Sequence, residues 1–132
     1  MKIYYPRKRP CASILKQRLH AIGRGFSPEK ALYLTQDNML FELIDLTEAV
    51  GGSEKTLARV KGRLIGTNGK VRERIEALTD SYISVYGKTV GIIGSLEDAP
   101  LALDAITRII SGSPHSSVYR FLERQRKMGQ IR

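Results

Sequence analysis

Apolar residues change their spacing along the chain, and each change predicts an element of secondary structure. Residues 39–47 are rich in large apolar side chains and predict a mostly buried strand. From Leu57 to Ile65, and again from Val71 to Leu78, apolar residues recur at helical spacing. The central part of the chain is therefore expected to begin as a strand followed by two helices.

A β-hairpin is expected after these helices. The runs 82–86 and 89–94 are rich in β-branched and aromatic residues, which are typical of strands. They flank the two-residue turn Gly87-Lys88, a length that is typical of a hairpin between antiparallel strands.

Two further helices complete the pattern. The first begins near Ser95, whose spacing from Asp98 resembles a capping box, and it ends at Gly112. Ser113-Pro114 opens the second, which carries apolar residues on one side. Its remainder carries the basic residues Arg120, Arg124, Arg126 and Lys127.

The first 37 residues divide into an arm and a linker. Residues 1–12 combine two prolines with the run Arg7-Lys8-Arg9 and predict an extended basic arm. Residues 13–37 predict a helical linker segment, in which one helix ends at Gly23 and a short second helix is capped by Ser27.

The two central helices are joined by a glycine loop, Gly66-Thr67-Asn68-Gly69. Glycines with small polar residues between them let the backbone approach a bulky partner. Cations flank the loop on both sides, and a helix that begins near Gly69 directs unpaired N–H groups at the same place. A nucleic-acid backbone fits this chemistry best. The spacing is that of the GxxG loop of KH domains, which clamps about four backbone nucleotides.

A phosphate-binding P-loop and a helix–turn–helix corner are the alternatives. A P-loop needs four residues between its first glycine and its Gly-Lys pair. Here six residues separate Gly62 from Gly69, and two separate Gly66 from Gly69. Val71 also stands where a P-loop has its magnesium-binding Ser or Thr, so we reject that interpretation. A helix–turn–helix corner with a solvated basic face stays open on the loop alone.

The order of predicted elements favours the KH interpretation. From residue 39 it is strand, helix, glycine loop, helix, strand, strand, helix. That order is typical of a type I KH fold, an α+β fold with a three-stranded antiparallel sheet and three helices on one face. We therefore predict a basic arm, a helical linker segment, a type I KH domain and a C-terminal basic helix, bounded as 1–12, 13–37, 38–112 and 113–132.

The net charge of +9 is concentrated in three blocks. Residues 1–28 hold seven cations and no acid, residues 54–79 hold seven cations and three acids, and residues 118–132 hold five cations and one acid. Residues 29–53 and 80–117 between them are mildly acidic. Because one basic block is centred on the glycine loop, the distribution favours a polyanionic partner.

Composition argues against several other classes of function. No apolar run approaches the ~18–20 residues of a membrane span, so no membrane partner is expected. Cys11 is the single cysteine, which suits a reducing cytoplasm. His20 and His115 lie far apart and suggest no third ligand, so neither a metal nor another cofactor is expected. The acids of residues 29–53 lack a metal-ligand pattern, so we predict no nuclease site and no enzyme.

The candidate RNA-binding residues combine the glycine loop, its flanking cations and nearby apolar positions. The cations are candidates for phosphate contacts, and the apolar side chains offer a floor for unstacked bases, although such positions are usually core. Tyr82 and Tyr86 share one strand face and are candidates for base stacking or for ordinary packing. The predicted set is Lys61, Arg63, Ile65, Gly66, Thr67, Asn68, Gly69, Lys70, Val71, Arg72, Ile83 and Val85.

Three segments resemble the archaeal branch of the partner-of-Nob family. They are AIGRGFSPEKA (21–31), YISVYGKTV (82–90) and VYRFLER (118–124), and the resemblance covers roughly residues 18–128. It implies non-catalytic binding of single-stranded precursor ribosomal RNA near its 3′ end, during maturation of the small ribosomal subunit. It also implies a Nob-type endonuclease and the alpha subunit of translation initiation factor two as partners.

Members of that family resemble a tandem of two KH modules. Residues 21–31 look like the tail of the first module plus the linker, and the 20 residues before them are too few for a KH module. We therefore expect the second module only. The alternative function is a protein-interaction module with a silent KH groove, in which residues 29–53 bind a basic partner. The intact glycine loop argues against that alternative.

Overall fold

The computed structural model of the chain describes residues 2–3, 18–35 and 38–131. The strands are β1 (Lys2–Ile3), β2 (Met39–Asp45), β3 (Tyr82–Tyr86) and β4 (Thr89–Ser95). The helices are α1 (residues 18–23), α2 (Pro28–Ala31), α3 (Leu46–Val50), α4 (Glu54–Ile65), α5 (Lys70–Thr79), α6 (Asp98–Ile110) and α7 (His115–Ile131). Short 3₁₀ turns occupy Leu32–Thr35 and Thr67–Gly69.

The strands form one antiparallel sheet in the order β1-β2-β4-β3. Its last three strands are the predicted three-stranded sheet, which is confirmed. The short β1 adds a fourth strand, because Lys2 pairs with Ile44 and Ile3 pairs with Leu43. The rest of the predicted arm, and residues 13–17 of the predicted linker helix, lie outside the described residues.

Helices α4, α5 and α6 cover one face of the sheet, as predicted for this fold. Leu57, Ile75 and Ile106 of these helices are buried against Ile92 of β4 in one apolar cluster. Helix α7 joins the same cluster through Leu122 on the apolar side that the sequence predicts. Burial of these side chains is the main favourable contribution to the fold.

The opposite face of the sheet is covered by the linker segment. Phe26 and Leu34 pack there against Phe41 of β2 and Ile93 of β4, and all four side chains are buried. Gly91 makes room for this layer, because a Cβ at residue 91 would lie 2.7 Å from the Phe26 ring. Since both faces of β2 are covered, residues 40–44 are all buried, and apolar side chains point to both faces with Glu42 as the one charged residue among these five.

Strand β2 ends earlier than the predicted residue 47, and helix α3 was not predicted. The reason is local capping. Asp45 has an extended backbone, and its carboxylate accepts a hydrogen bond from the N–H of Thr47 at 2.8 Å, so a helix begins at Leu46. The predicted cap at Ser27 is confirmed, since its hydroxyl accepts the N–H of Lys30. The hydroxyl of Ser95 accepts the N–H of Asp98 at 3.0 Å, but Ser95 is the last residue of β4, and α6 begins three residues later than predicted, with Glu97 at the N-cap. In the described parts of the chain, no helix combines the length and apolar character that crossing a membrane requires.

Candidate nucleic-acid interface

The glycine loop turns sharply between α4 and α5. Gly66 has φ 75° and ψ 179°, Asn68 has φ 55°, and Gly69 has φ 74°. A side chain at Gly66 would collide with Val71, whose backbone nitrogen would lie 2.9 Å from the added Cβ. Thr67 and Asn68 are exposed, as the sequence predicts. Backbone and small polar groups are therefore all that the loop presents to a partner.

A groove of about 340 Å³ lies beside this loop. One side is built by the KH fold, and the other is built by the linker that precedes it. The residues that line it are Gly25, Phe26, Ser27, Lys30, Ile65, Arg72, Ile83, Ser84 and Val85. The groove thus places an apolar surface and two cations next to the loop.

Strand β3 forms the floor of the groove through Ile83, Ser84 and Val85. It is an edge strand of the sheet, so one side of its backbone is not paired with another strand. Glu76 accepts a hydrogen bond from the backbone N–H of Ile83 at 2.8 Å, so that N–H faces away from β4. Backbone groups two residues apart in a strand face the same way, so the polar groups of Val85 also face the groove. They offer hydrogen bonds to the edges of bases that lie against the strand.

Arg72 is held at the groove by the same carboxylate. Its guanidinium donates to the other oxygen of Glu76 at 2.9 Å, and the two side chains are 28% and 15% exposed. Glu76 therefore links α5 to β3 and restricts the rotamers of Arg72. A planar guanidinium fixed in this way presents its remaining N–H donors in a defined orientation, which suits a phosphate oxygen.

The structure brings together four of the predicted residues as lining: Ile65, Arg72, Ile83 and Val85. Ile83 also belongs to the core, at 5% exposure, and Val71 is half-buried against that core and against Gly66. Lys61 lies one helical turn before Ile65 and thus on the same face of α4. Lys70, the first residue of α5, is exposed beside the loop.

Arg63, a predicted phosphate contact, makes a hydrogen bond within the fold. Its guanidinium donates to the carbonyl oxygen of Ser113 at 2.7 Å, and its Nε is buried without a partner among the described residues. The Nε2 atom of His115 lies 2.9 Å from the carbonyl oxygen of Arg63. Arg63 therefore fastens α4 to the start of α7, and neither the charge pattern nor the loop spacing could reveal this contact.

The tyrosines of β3 lie on the other side of the strand from Ile83 and Val85. Tyr82 pairs with Tyr33, with ring centroids 5.2 Å apart, and a hydrogen bond with Tyr33 raises the pKa of Tyr82. Tyr86 is 52% exposed. The predicted candidates for stacking are thus outside the groove itself.

The basic C-terminal helix uses part of its charge within the fold. Arg126 donates to the carbonyl oxygens of Ala77 and Leu78 at 2.9 and 3.1 Å. These carbonyl groups lie in the last turn of α5, where no further helical N–H is available to them. Glu123 pairs with Arg74 at 3.3 Å. Exposed cations remain on α7 at Arg120, Arg124 and Lys127. Among the described residues, no group of three or more His, Cys, Asp or Glu side chains could hold a metal ion.

Four features together define a type I KH domain: the glycine loop, the helix that follows it, the edge strand at the groove and the helices on one sheet face. The family model of the second KH domain of PNO1, a eukaryotic type KH domain (KH domain type I), matches residues 40–127. The chain belongs to this family.

Curated relatives agree with this assignment. A KH domain-containing protein of Methanocaldococcus jannaschii is 45% identical over 109 residues, which cover 83% of this chain and 48% of the relative. The RNA-binding protein PNO1 of Oryzias latipes is 33% identical over 102 residues, which cover 76% of this chain and 42% of the relative. This chain spans about half the length of the curated relatives it matches.

Solved structures show the same fold. Dim2p from Pyrococcus horikoshii is 45% identical with a TM-score of 0.79, and the match covers 85% of this chain and 64% of that one. A complex of a/eIF2alpha, aDim2p and rRNA from the same organism gives 44% identity and a TM-score of 0.83, covering 91% of this chain and 66% of the matched chain.

Proposed function

We propose that this protein is a non-catalytic module that binds single-stranded RNA and acts in small-subunit ribosomal RNA maturation near the 3′ end. The observation that carries the proposal is the open groove beside the intact glycine loop at 66–69. Relatives are named RNA-binding protein PNO1 and pre-rRNA-processing protein pno1, and a solved relative is seen with rRNA. These names support the ribosomal substrate.

Different parts of the groove contact the phosphates and the bases of the RNA. The backbone of the loop and the N-terminus of α5 receive a phosphate, because unpaired N–H groups and the helix dipole favour an anion there. Arg72 and the exposed Lys70 add positive charge beside it. Ile65 and Val85 supply apolar contact for unstacked bases, and the free edge of β3 supplies hydrogen bonds to base edges.

The partners follow from the same family. The solved complex of a relative contains a/eIF2alpha, so we propose the alpha subunit of translation initiation factor two as a partner of this chain. A Nob-type endonuclease is the second proposed partner, because the family resemblance implies it. We also propose a cytoplasmic location for the protein.

Competition binding tests this function. A labelled single-stranded RNA is titrated with the protein and then competed with the same RNA unlabelled, either single-stranded or in a perfect duplex. We expect the single strand to compete far better, because bases must be unstacked to reach the groove. Equal competition by the duplex would contradict the proposal.

The salt dependence of the same titration tests the clamp. If the loop and its cations neutralise about three or four phosphates, the log–log slope of the association constant against salt is roughly −2 to −3, from the single-strand coefficient. A slope near zero would show that phosphate contacts do not drive binding.

A further inference from the structure

We propose that residues 25–30 of the linker are the second wall of the RNA groove, and that Lys30 binds a phosphate of the strand seated there. The inference rests on the proposed function and extends it to a segment that precedes the KH fold. The groove itself supports it, because Gly25, Ser27 and Lys30 line it from the side opposite to Ile65 and Arg72.

The wall is fixed to the edge strand. The hydroxyl of Ser84 on β3 donates to the carbonyl oxygen of Arg24 at 2.9 Å. Gly25 then turns with φ 95°, close enough that an added Cβ would lie 2.5 Å from the Ser84 hydroxyl and 3.2 Å from Tyr86. The linker backbone thus approaches β3 as closely as glycine allows, and this contact sets the width of the groove.

An aromatic anchor holds the next residue of the wall. Phe26 is 4% exposed and packs edge-on against Phe41, with ring centroids 6.1 Å apart. Ser27 then caps α2, since its hydroxyl accepts the N–H of Lys30 at 3.3 Å. These contacts order the backbone that carries Lys30 before any RNA binds, so little ordering entropy remains to be lost on binding.

Lys30 differs from Arg72 in how its charge is used. Arg72 is paired with Glu76, whereas no carboxylate of a described residue lies within ion-pair distance of Lys30. Its ammonium lies 5.2 Å from the centroid of the Tyr82 ring, a weak cation–π contact from which the flexible side chain can turn to a phosphate in the groove. Lys30 is also the single cation among the five acids of residues 29–53.

An RNA strand in the groove would therefore have a cation on each side of it. Arg72 reaches it from α5, and Lys30 reaches it from α2. The linker then acts as part of the binding site, beyond its packing against the sheet.

The experiment compares the whole chain with three variants in the single-stranded RNA titration over a series of salt concentrations. Lys30→Gln removes the proposed phosphate ligand, and Lys30→Arg keeps its charge. Lys55→Gln, at an exposed position in the first turn of α4, makes the same charge change far from the loop along that helix.

We expect Lys30→Gln to make the log–log slope shallower by about 0.7, the value for one single-strand phosphate, and to weaken binding about fivefold at ~0.1 M salt. Lys30→Arg and Lys55→Gln should keep the parent slope. A structural role through Tyr82 alone would lower the melting temperature and leave the slope unchanged, which would overturn the inference.

The same data separate this inference from the proposed function. If the parent binds single-stranded RNA in preference to duplex while Lys30→Gln keeps the parent slope, only the second wall is wrong. If Lys55→Gln weakens RNA binding as much as Lys30→Gln does, the effect comes from the net charge of the protein, and the inference about Lys30 is also overturned. Failure of the parent to prefer single strands would instead contradict the proposed function.

Discussion

The two glycines of the loop should respond very differently to alanine. At Gly66 the backbone angles of φ 75° and ψ 179° lie in a region that strains other residues by about 1–3 kcal/mol. The added methyl would also lie 2.9 Å from both the backbone nitrogen and the Cβ of Val71, an overlap that costs a further ~1–3 kcal/mol. Gly66→Ala should therefore destabilise the fold by roughly 2–6 kcal/mol.

Gly69 offers the matched comparison. Its φ of 74° and ψ of 13° are left-handed helical, which costs alanine about 1–2 kcal/mol. The nearest atom to an added Cβ is the Arg72 guanidinium at 3.6 Å, an ordinary contact. Gly62 is a second control, because it is exposed within α4 with nothing within 4 Å of an added Cβ. There alanine should stabilise by up to ~1 kcal/mol through helix propensity.

Thermal unfolding followed by circular dichroism measures these differences. At about 4 °C per kcal/mol for a chain of this size, Gly66→Ala should lower the melting temperature by roughly 8–24 °C and Gly69→Ala by about 4–8 °C. Gly62→Ala should raise it by a few degrees. If Gly66→Ala and Gly69→Ala melt at the same temperature, the proposed steric role of Val71 is wrong.

Two further predictions concern Glu76 and His20. Glu76→Gln keeps an acceptor for the N–H of Ile83, whereas Glu76→Ala leaves that N–H without its partner. Urea unfolding should therefore find the alanine variant less stable than the glutamine variant by about 1–3 kcal/mol. Equal stability of the two variants would show that the hydrogen bond is unimportant. Partial burial, with a smaller effect of Arg24, lowers the pKa of His20 below 6.5. The folded state therefore favours neutral His20. The stability that neutral His20 contributes is present above pH 6.5 and is lost as the pH falls through the lowered pKa. The urea midpoint should drop between pH 7.5 and 5.5 by less in His20→Gln than in the parent, and an identical drop would refute this origin.

The order of elements could be predicted from the sequence because it rests on local signals. Helical and strand spacing, the hairpin turn Gly87-Lys88 and the cap at Ser27 all act within a few residues, and each is confirmed. Helix α3 was missed although its cap Asp45 is also local, because Leu46 extends the apolar run of the buried strand, which was predicted to reach residue 47.

The groove could be predicted only in part. Its KH side follows from the loop motif, since Ile65 and Arg72 lie within a few residues of the glycines. Its linker side depends on the contact between Ser84 and Arg24, which are 60 residues apart, and no local pattern encodes such a contact. The contact between Arg63 and Ser113 spans 50 residues, so the basic block around the loop could not be divided from the sequence into structural and exposed cations.

Replacing Thr67 and Asn68 together by Asp tests the central claim most directly. Both side chains are exposed, and Asp tolerates the left-handed backbone of residue 68, so the fold should change in stability by no more than about 0.5 kcal/mol. Each carboxylate placed ~4 Å from a phosphate would repel it by about 1 kcal/mol in water and up to ~4 kcal/mol near a protein surface. Ser116→Asp with Ser117→Asp, at exposed positions in the first turn of α7, is the charge-matched control.

The measurement is a titration of labelled single-stranded RNA with the parent, the loop variant and this control, each checked for its fold by circular dichroism and melting temperature. We predict that the folded loop variant loses RNA binding while the control largely retains it. If the folded loop variant binds as tightly as the parent, the glycine loop is not the RNA clamp, and a protein-interaction role for this KH domain becomes the better hypothesis.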